Sequence, residues 1–73
     1  MKRVYACAEQ IRNVLPKMPE GRAFPGDLLQ ELKDSTRQGV GNVNSGLLTR
    51  TLGYMNHQGQ VEIDERGAYY LSP

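Results

Sequence analysis

The chain has 73 residues, of which 38% are hydrophobic and 23% are charged, and its formal net charge is +1. A chain of this length builds one domain with a small core, and the composition is typical of a globular domain and not of a disordered tail. The single cysteine excludes an intramolecular disulfide framework, and no stretch approaches the ~20 apolar residues of a membrane span. We therefore expect one cytoplasmic domain over residues 1–73, without membrane association; the opening letters MKRVYACA resemble an export signal, but their apolar run is too short.

The first predicted element is an amphipathic helix near the N-terminus. Its apolar residues recur at helical spacing and form one stripe, consisting of Val4, Cys7, Ala8, Ile11, Val14 and Leu15. Pro16 ends this helix, because the residue before a proline avoids helical geometry. Since Cys7 belongs to the stripe, we expect a buried structural thiol and not a nucleophile.

A punctuated connector, a very short strand and a second helix follow. Two prolines and a glycine interrupt residues 16–21, and residues 22–24 read as a possible strand. The second helix is predicted over residues 25–34, with Pro25 in its first turn and Asp27 near its positive end. Its buried side consists of Leu28, Leu29 and Leu32.

A third helix and a hairpin complete the chain. Asn44 and Ser45 are both suitable N-caps, and Gly59 suits the left-handed residue that ends a helix. The inner side of this helix is predicted to contain Leu47, Leu48, Leu52 and Met55, flanked by Thr51 and Tyr54. After Gly59, the letters QVEID and AYYLS alternate as two strands around an ERG turn, and Val61, Ile63, Tyr69 and Leu71 are expected to pack onto the helices.

The order of elements and the letters VNSGLLTRTLGYMNHQGQVE resemble the winged-helix family, a helix-turn-helix variant whose hairpin is the wing. The resemblance implies an α+β fold of order α1-(β1)-α2-α3-β2-β3, a three-helix core with a C-terminal hairpin, and a third helix that recognises DNA. Two features depart from the family pattern. Gly53 lies inside the presumed recognition helix at a cost of ~1 kcal/mol relative to alanine, and the wing turn DERG contains two acidic residues.

Charge distribution favours DNA as the partner of the third helix. No Asp or Glu occurs between Ser35 and Val61. Ser45, Thr49 and Arg50 are suited to base edges in the major groove, and Asn44 and Ser45 are suited to phosphate contact at the helix start. Arg37 before the helix and Arg66 at the wing tip are further candidates, with Arg22 if its strand lies beside the wing. The alternative is that this side of the helix is simply a polar face in contact with solvent. Gly46 and Gly53 on the same face either let the backbone of DNA or of a partner approach closely or are merely tolerated in the helix.

The remaining candidate residues point away from catalysis. At the last turn of the third helix, the protonated form of His57 is expected to interact with the negative helix end. The sequence has no second His and no second Cys to complete a metal site. We therefore expect no enzyme, metal, cofactor or small-molecule ligand. Two interpretations of Tyr54, Tyr69 and Tyr70 stay open: they stack on bases, or Tyr69 packs the hairpin onto the helices while Tyr70 lies on its free face. Tyr5 and Tyr70 are expected to lie outside the core as a partner surface.

The sequence thus predicts a sequence-specific binder of double-stranded DNA, a small transcriptional regulator of the phage or mobile-element type. With so few cations a monomer should bind DNA modestly, so a homodimer or a protein partner would help. The alternative is a winged-helix module that binds protein instead of DNA, favoured by the near-neutral charge and the acidic wing turn.

Overall fold

Three helices and three short strands make up the computed structural model, which describes residues 2–35 and 43–73. The helices are α1 (Lys2–Val14), α2 (Pro25–Ser35) and α3 (Ser45–His57), and the strands are β1 (Arg22–Ala23), β2 (Val61–Ile63) and β3 (Tyr69–Leu71). The strands form one antiparallel sheet of order β1-β3-β2. The predicted α+β class and order of elements are confirmed in these coarse terms.

α1 buries the stripe that the sequence predicts. Its buried residues are Val4, Cys7, Ala8, Ile11 and Val14. The helix ends before Pro16, and a 3₁₀ turn over Leu15–Lys17 continues it, with Leu15 fully buried. A second 3₁₀ turn, Pro19–Gly21, contains Glu20 in the left-handed region at φ 60°. Residues other than glycine rarely adopt that backbone conformation, so the backbone of this connector is slightly strained at Glu20.

α3 has well-formed signals at both ends. At its start, Asn44 Oδ1 accepts a hydrogen bond from the Leu47 amide at 2.8 Å, which makes Asn44 the N-cap. At its end, Gly59 has φ 75°, the Gly59 amide bonds Asn56 O, and the Gln60 amide bonds Met55 O. This pair of hydrogen bonds is a Schellman motif, and it turns the chain directly into β2.

The sheet register places alternate residues on opposite faces. Val61 lies opposite Leu71, and Ile63 lies opposite Tyr69, on the face that is turned towards the helices. Val61 is fully buried, but Ile63 is 48% exposed, so the expectation that Ile63 packs against the helices is wrong. Ile63 is the last residue of an edge strand next to the turn, where no helix covers it among the described residues.

The core joins all three helices to the sheet. Its fully buried large side chains include Ile11, Leu15, Leu28, Leu32, Leu48, Leu52, Met55 and Val61. Leu29 and Tyr54 are only partly buried at its margin. Two contacts show that α1 and α3 run side by side in the same direction. Tyr5 near the start of α1 touches Tyr54, and Arg12 Nη1 near the end of α1 donates to Gln60 Oε1 just beyond the end of α3.

Candidate nucleic-acid interface

The outward face of α3 is polar and contains no acidic residue. Leu47, Leu48, Thr51, Leu52 and Met55 are buried, so helical geometry turns the intervening positions to solvent. This exposed face consists of Ser45, Gly46, Thr49, Arg50, Gly53, Asn56 and His57. Among the described residues, neither the Thr49 side chain nor the Arg50 side chain has a hydrogen bond or ion pair, so both can bind an external partner.

The start of α3 combines a satisfied cap with open backbone donors. Asn44 satisfies the Leu47 amide, and the amides of Ser45 and Gly46 are left without an intrahelical acceptor. A Cβ at Gly46 would lie 3.3 Å from Asn44 Oδ1, which is a tight contact. The chain's own structure therefore favours glycine at position 46, because the absence of a Cβ leaves room for the Asn44 cap. At Gly53 a Cβ would meet nothing within 4 Å, which fits a merely tolerated glycine.

A shallow depression of about 480 Å³ lies beside Arg50 where the first turns of α1 and α3 meet. Its lining consists of Lys2, Arg3, Val4, Asn44, Gly46, Leu47 and Arg50. Three of these residues are cationic and none is acidic, so the local potential is positive although the net charge of the chain is only +1. We call this feature the basic depression.

Lys2 and Arg3 are candidate site residues that the sequence reading missed. In the linear sequence they precede a short apolar run, where they resemble only the basic start of an export signal. Their positions at the beginning of an amphipathic helix were the available signal. Only the packing of α1 against α3 brings them to Arg50, which is 47 positions after Arg3 in the chain.

The far end of the α3 face is anchored to the hairpin. Asn56 Nδ2 donates to Val61 O at 3.1 Å, and this bond occupies a carbonyl on the open edge of β2. His57 is exposed in the last turn, the position where a cation interacts favourably with the helix end. Of the polar side chains on this face, Asn56 is therefore bound within the fold, whereas Ser45, Thr49 and Arg50 in the first half of α3 are exposed.

The hairpin turn is organised by one carboxylate. Asp64 Oδ1 accepts from the amides of Arg66 and Ala68 at 2.9 Å each, and Asp64 Oδ2 accepts from Arg22 Nη1 at 3.0 Å. The hydrogen bond from the Ala68 amide is the largest effect that lowers the pKa of Asp64, and the Arg22 guanidinium and the Arg66 amide lower it further. The acidic turn thus has a structural role, because it closes the hairpin and joins β1 to it.

The arginines near the hairpin differ in whether their side chains are available to contact a partner. Arg22 is bound to Asp64, and its guanidinium carbon also lies 4.6 Å from the centre of the Tyr70 ring. Arg66 is exposed, but it shares the tip with Glu65, and no hairpin residue lines the basic depression. Arg37, the remaining candidate cation, lies outside the described residues.

The two tyrosines expected at a partner surface are placed differently. Tyr5 is 53% exposed and makes an edge contact with Tyr54, with ring centres 5.7 Å apart. Tyr70 lies on the outer face of the sheet, opposite Arg22 and Glu62, but the Arg22 guanidinium covers part of it. Tyr5 is therefore the more accessible of the pair.

Cys7 is fully buried, and burial raises the pKa of its thiol above the ordinary value, while a hydrogen bond with Thr51 acts in the opposite direction. Such a thiol is little ionised at neutral pH and is shielded from reagents. Within residues 2–35 and 43–73, no group of three His, Cys, Asp or Glu side chains could hold a metal ion. Over the same ranges, no helix is long and apolar enough to cross a bilayer.

Comparison of the chain with protein-family profiles, with curated proteins and with solved structures gave no match in any of the three.

Proposed function

We propose that this chain is a winged-helix protein that binds double-stranded DNA in a sequence-specific manner, with the first half of α3 in the major groove. The observation that carries the proposal is the exposed, acid-free face of α3, on which Arg50 has no partner among the described residues. An α-helix fits the major groove, and an arginine can donate two hydrogen bonds to guanine there. Ser45 and Thr49 on the same face would contact neighbouring bases or phosphates.

The architecture supports the winged-helix part of the proposal. The order of helices and strands agrees with the family pattern, and β1 joins the C-terminal hairpin in one sheet through its pairing with β3. Asp64, the acidic residue that conflicts most with a DNA-binding wing, is bound to Arg22 and to the turn, so its charge is partly neutralised. Arg66 at the exposed tip is the hairpin residue we assign to the DNA backbone. Arg37 is also assigned to phosphate, on its sequence position alone.

The first experiment is a selection of bound fragments from random duplex DNA, which yields the target site if one exists. Affinity for that site and for a scrambled duplex is then measured by fluorescence anisotropy. We expect Arg50→Ala to weaken binding to the selected site about 5- to 150-fold, which corresponds to the ~1–3 kcal/mol of a bidentate arginine–guanine contact, and to weaken scrambled binding much less.

Lys17→Ala is the matched control for this measurement. Lys17 is exposed in the 3₁₀ turn after α1, and the 13 residues of α1 place it roughly 20 Å from the basic depression. This variant loses the same single charge and should bind as the wild type does. If Arg50→Ala binds the selected site unchanged, the assignment of Arg50 is wrong.

A second candidate function is a winged-helix module that binds a protein, including a second copy of this chain. The exposure of Tyr5 and the mixed charges at the hairpin tip favour it, since exposed tyrosines are enriched at protein interfaces. Under this alternative the random-DNA selection would enrich no site. Tyr5→Ala would weaken association with the partner or the self-association measured by analytical ultracentrifugation, and Tyr70→Ala would weaken it less.

If the DNA proposal holds, transcriptional regulation is the role we propose for the chain, because a protein bound at a specific site can obstruct or recruit the transcription machinery. A role in a phage or another mobile element remains part of this proposal, as does a homodimer on a two-fold repeated site. The selected sequence tests the dimer directly. Two inverted half-sites about one helical turn apart would indicate a symmetric dimer.

A further inference from the structure

We propose that the basic depression binds a backbone phosphate of the same DNA duplex, with Lys2 as its principal cationic ligand. The proposal rests on the DNA-binding function proposed above, and it extends the interface from α3 to the first turn of α1. Nothing in the linear sequence joins these two segments, which meet only in the folded chain.

The charges of the depression favour an anion. Lys2, Arg3 and Arg50 converge on it from two helices, and none of its described lining residues has a carboxylate. Like charges that share a concave surface repel one another, and a bound phosphate relieves that repulsion. Arg3 already has an interaction of its own within the chain. Lys2 has none among the described residues, so its ammonium group is the one we assign to the phosphate.

The dimensions of DNA place a phosphate near this point when α3 occupies the major groove. The groove is about 12 Å wide, and an α-helix with its side chains has a diameter of about 10–12 Å, so the phosphates of each strand flank the inserted helix closely. Packed helices lie about 8–10 Å apart. The first turn of α1 lies beside the first turn of α3. It is therefore at about the distance from the α3 axis at which the phosphates of one strand border the groove.

The depression offers more than charge to a phosphate. Gly46 lines it, and the Gly46 amide has no acceptor within α3, so this donor can reach an anion at close range. Arg50 lies at the border between the depression and the outward face of α3. A duplex docked on α3 would thus meet Arg50 at its bases and Lys2 at its backbone simultaneously.

The experiment measures the salt dependence of duplex binding for Lys2→Ala, Lys2→Arg and the control Lys17→Ala, on the selected site and on scrambled DNA. Each phosphate contact contributes about 0.9 to the slope of log K against log salt. We expect Lys2→Ala to reduce the slope by about 0.9 and to weaken binding about 8-fold at 0.1 M salt, equally on both duplexes. Lys2→Arg should restore both values, and Lys17→Ala should match the wild type. Melting temperatures should be equal in all variants, because Lys2 and Lys17 are exposed.

The outcomes separate the two proposals. If the wild type binds duplex DNA but Lys2→Ala keeps the wild-type slope and affinity, the phosphate site is wrong and the DNA-binding function stands. If Lys2→Ala affects only the selected site, Lys2 reads bases, and the phosphate assignment is again overturned. If the wild type binds no duplex even at low salt, the proposed function fails, and the phosphate site fails with it.

Discussion

At the scale of single residues, Asp64 shows how one carboxylate can serve several purposes in a small domain. It caps two amides of the hairpin turn and binds Arg22 of β1. Because the Arg22 side chain is 46% exposed, the ion pair by itself contributes only weakly to stability. The backbone hydrogen bonds matter more, because they hold the turn in the geometry that pairs β2 with β3.

The lowered pKa of Asp64 predicts a pH dependence of stability. Because the folded state favours the ionised carboxylate, the stabilisation is fully present above the ordinary value of 3.8 and is lost as the pH falls through the lower folded-state pKa. Asp64→Asn keeps an oxygen acceptor for the turn but removes the charge. We expect the wild type to exceed this variant in free energy of unfolding at neutral pH, with the difference shrinking below pH 3.8, as measured by urea unfolding.

Asp64→Ala is the companion variant for that measurement. It removes the acceptor of the Arg66 and Ala68 amides altogether. It should therefore be less stable than Asp64→Asn at neutral pH, and that deficit should persist in acid. A constant difference between the wild type and Asp64→Asn from neutral to acidic pH would contradict the proposed role of the charge.

At the scale of elements, α3 has to satisfy two demands with its two faces. Its leucines and Met55 are packed into the core, and its outer positions are small, polar or basic. The two glycines on that outer face lower the helical propensity. The cap at Asn44 and the Schellman motif at Gly59 compensate, because they satisfy orphan backbone groups at both ends.

Substitution of the cap separates the stability of α3 from its proposed function. Asn44→Ala should lower the free energy of unfolding by about 1 kcal/mol, because the Leu47 amide loses its acceptor. Asn44→Asp retains an acceptor and should be at least as stable as the wild type. Its new negative charge lies in the basic depression, so it should weaken duplex binding. Urea unfolding and anisotropy measure the two effects, and an Asn44→Asp variant that binds duplex as tightly as the wild type would count against the interface.

At the scale of the whole molecule, a small core joins every element. Cys7 is fully buried within it, and burial raises the pKa of its thiol, so native Cys7 is protected both sterically and chemically. Modification of this thiol requires the chain to open. In a domain this small we expect that opening to be global unfolding.

The thiol therefore reports the stability of the whole fold. Leu52 is almost completely buried, and Leu52→Ala should destabilise the fold by ~2–5 kcal/mol. We expect the rate of Cys7 labelling by a disulfide reagent to increase tenfold for every ~1.4 kcal/mol lost in the urea-unfolding free energy. Rapid labelling of the wild type under native conditions would instead show that α1 opens locally.

Much of this fold could be predicted from local patterns. The spacing of apolar residues predicted the buried stripe of α1, Pro16 predicted its end, and Gly59 predicted the change from helix to strand. These features depend on interactions between residues close in the chain, where periodicity and backbone preference act directly. The exposure of Ile63 could not be predicted in this way, because alternation indicates the face of a strand and not how far the helices extend beneath it.

The sequence by itself determined the acid-free character of α3 and the residues on its outward face. Only the tertiary structure decided that Lys2 and Arg3 lie beside Arg50, and that Arg22 binds Asp64 and Tyr70 instead of remaining available. The physical reason is that side-chain chemistry is a property of each position, whereas a shared electrostatic surface depends on which distant positions the packing of the core brings together.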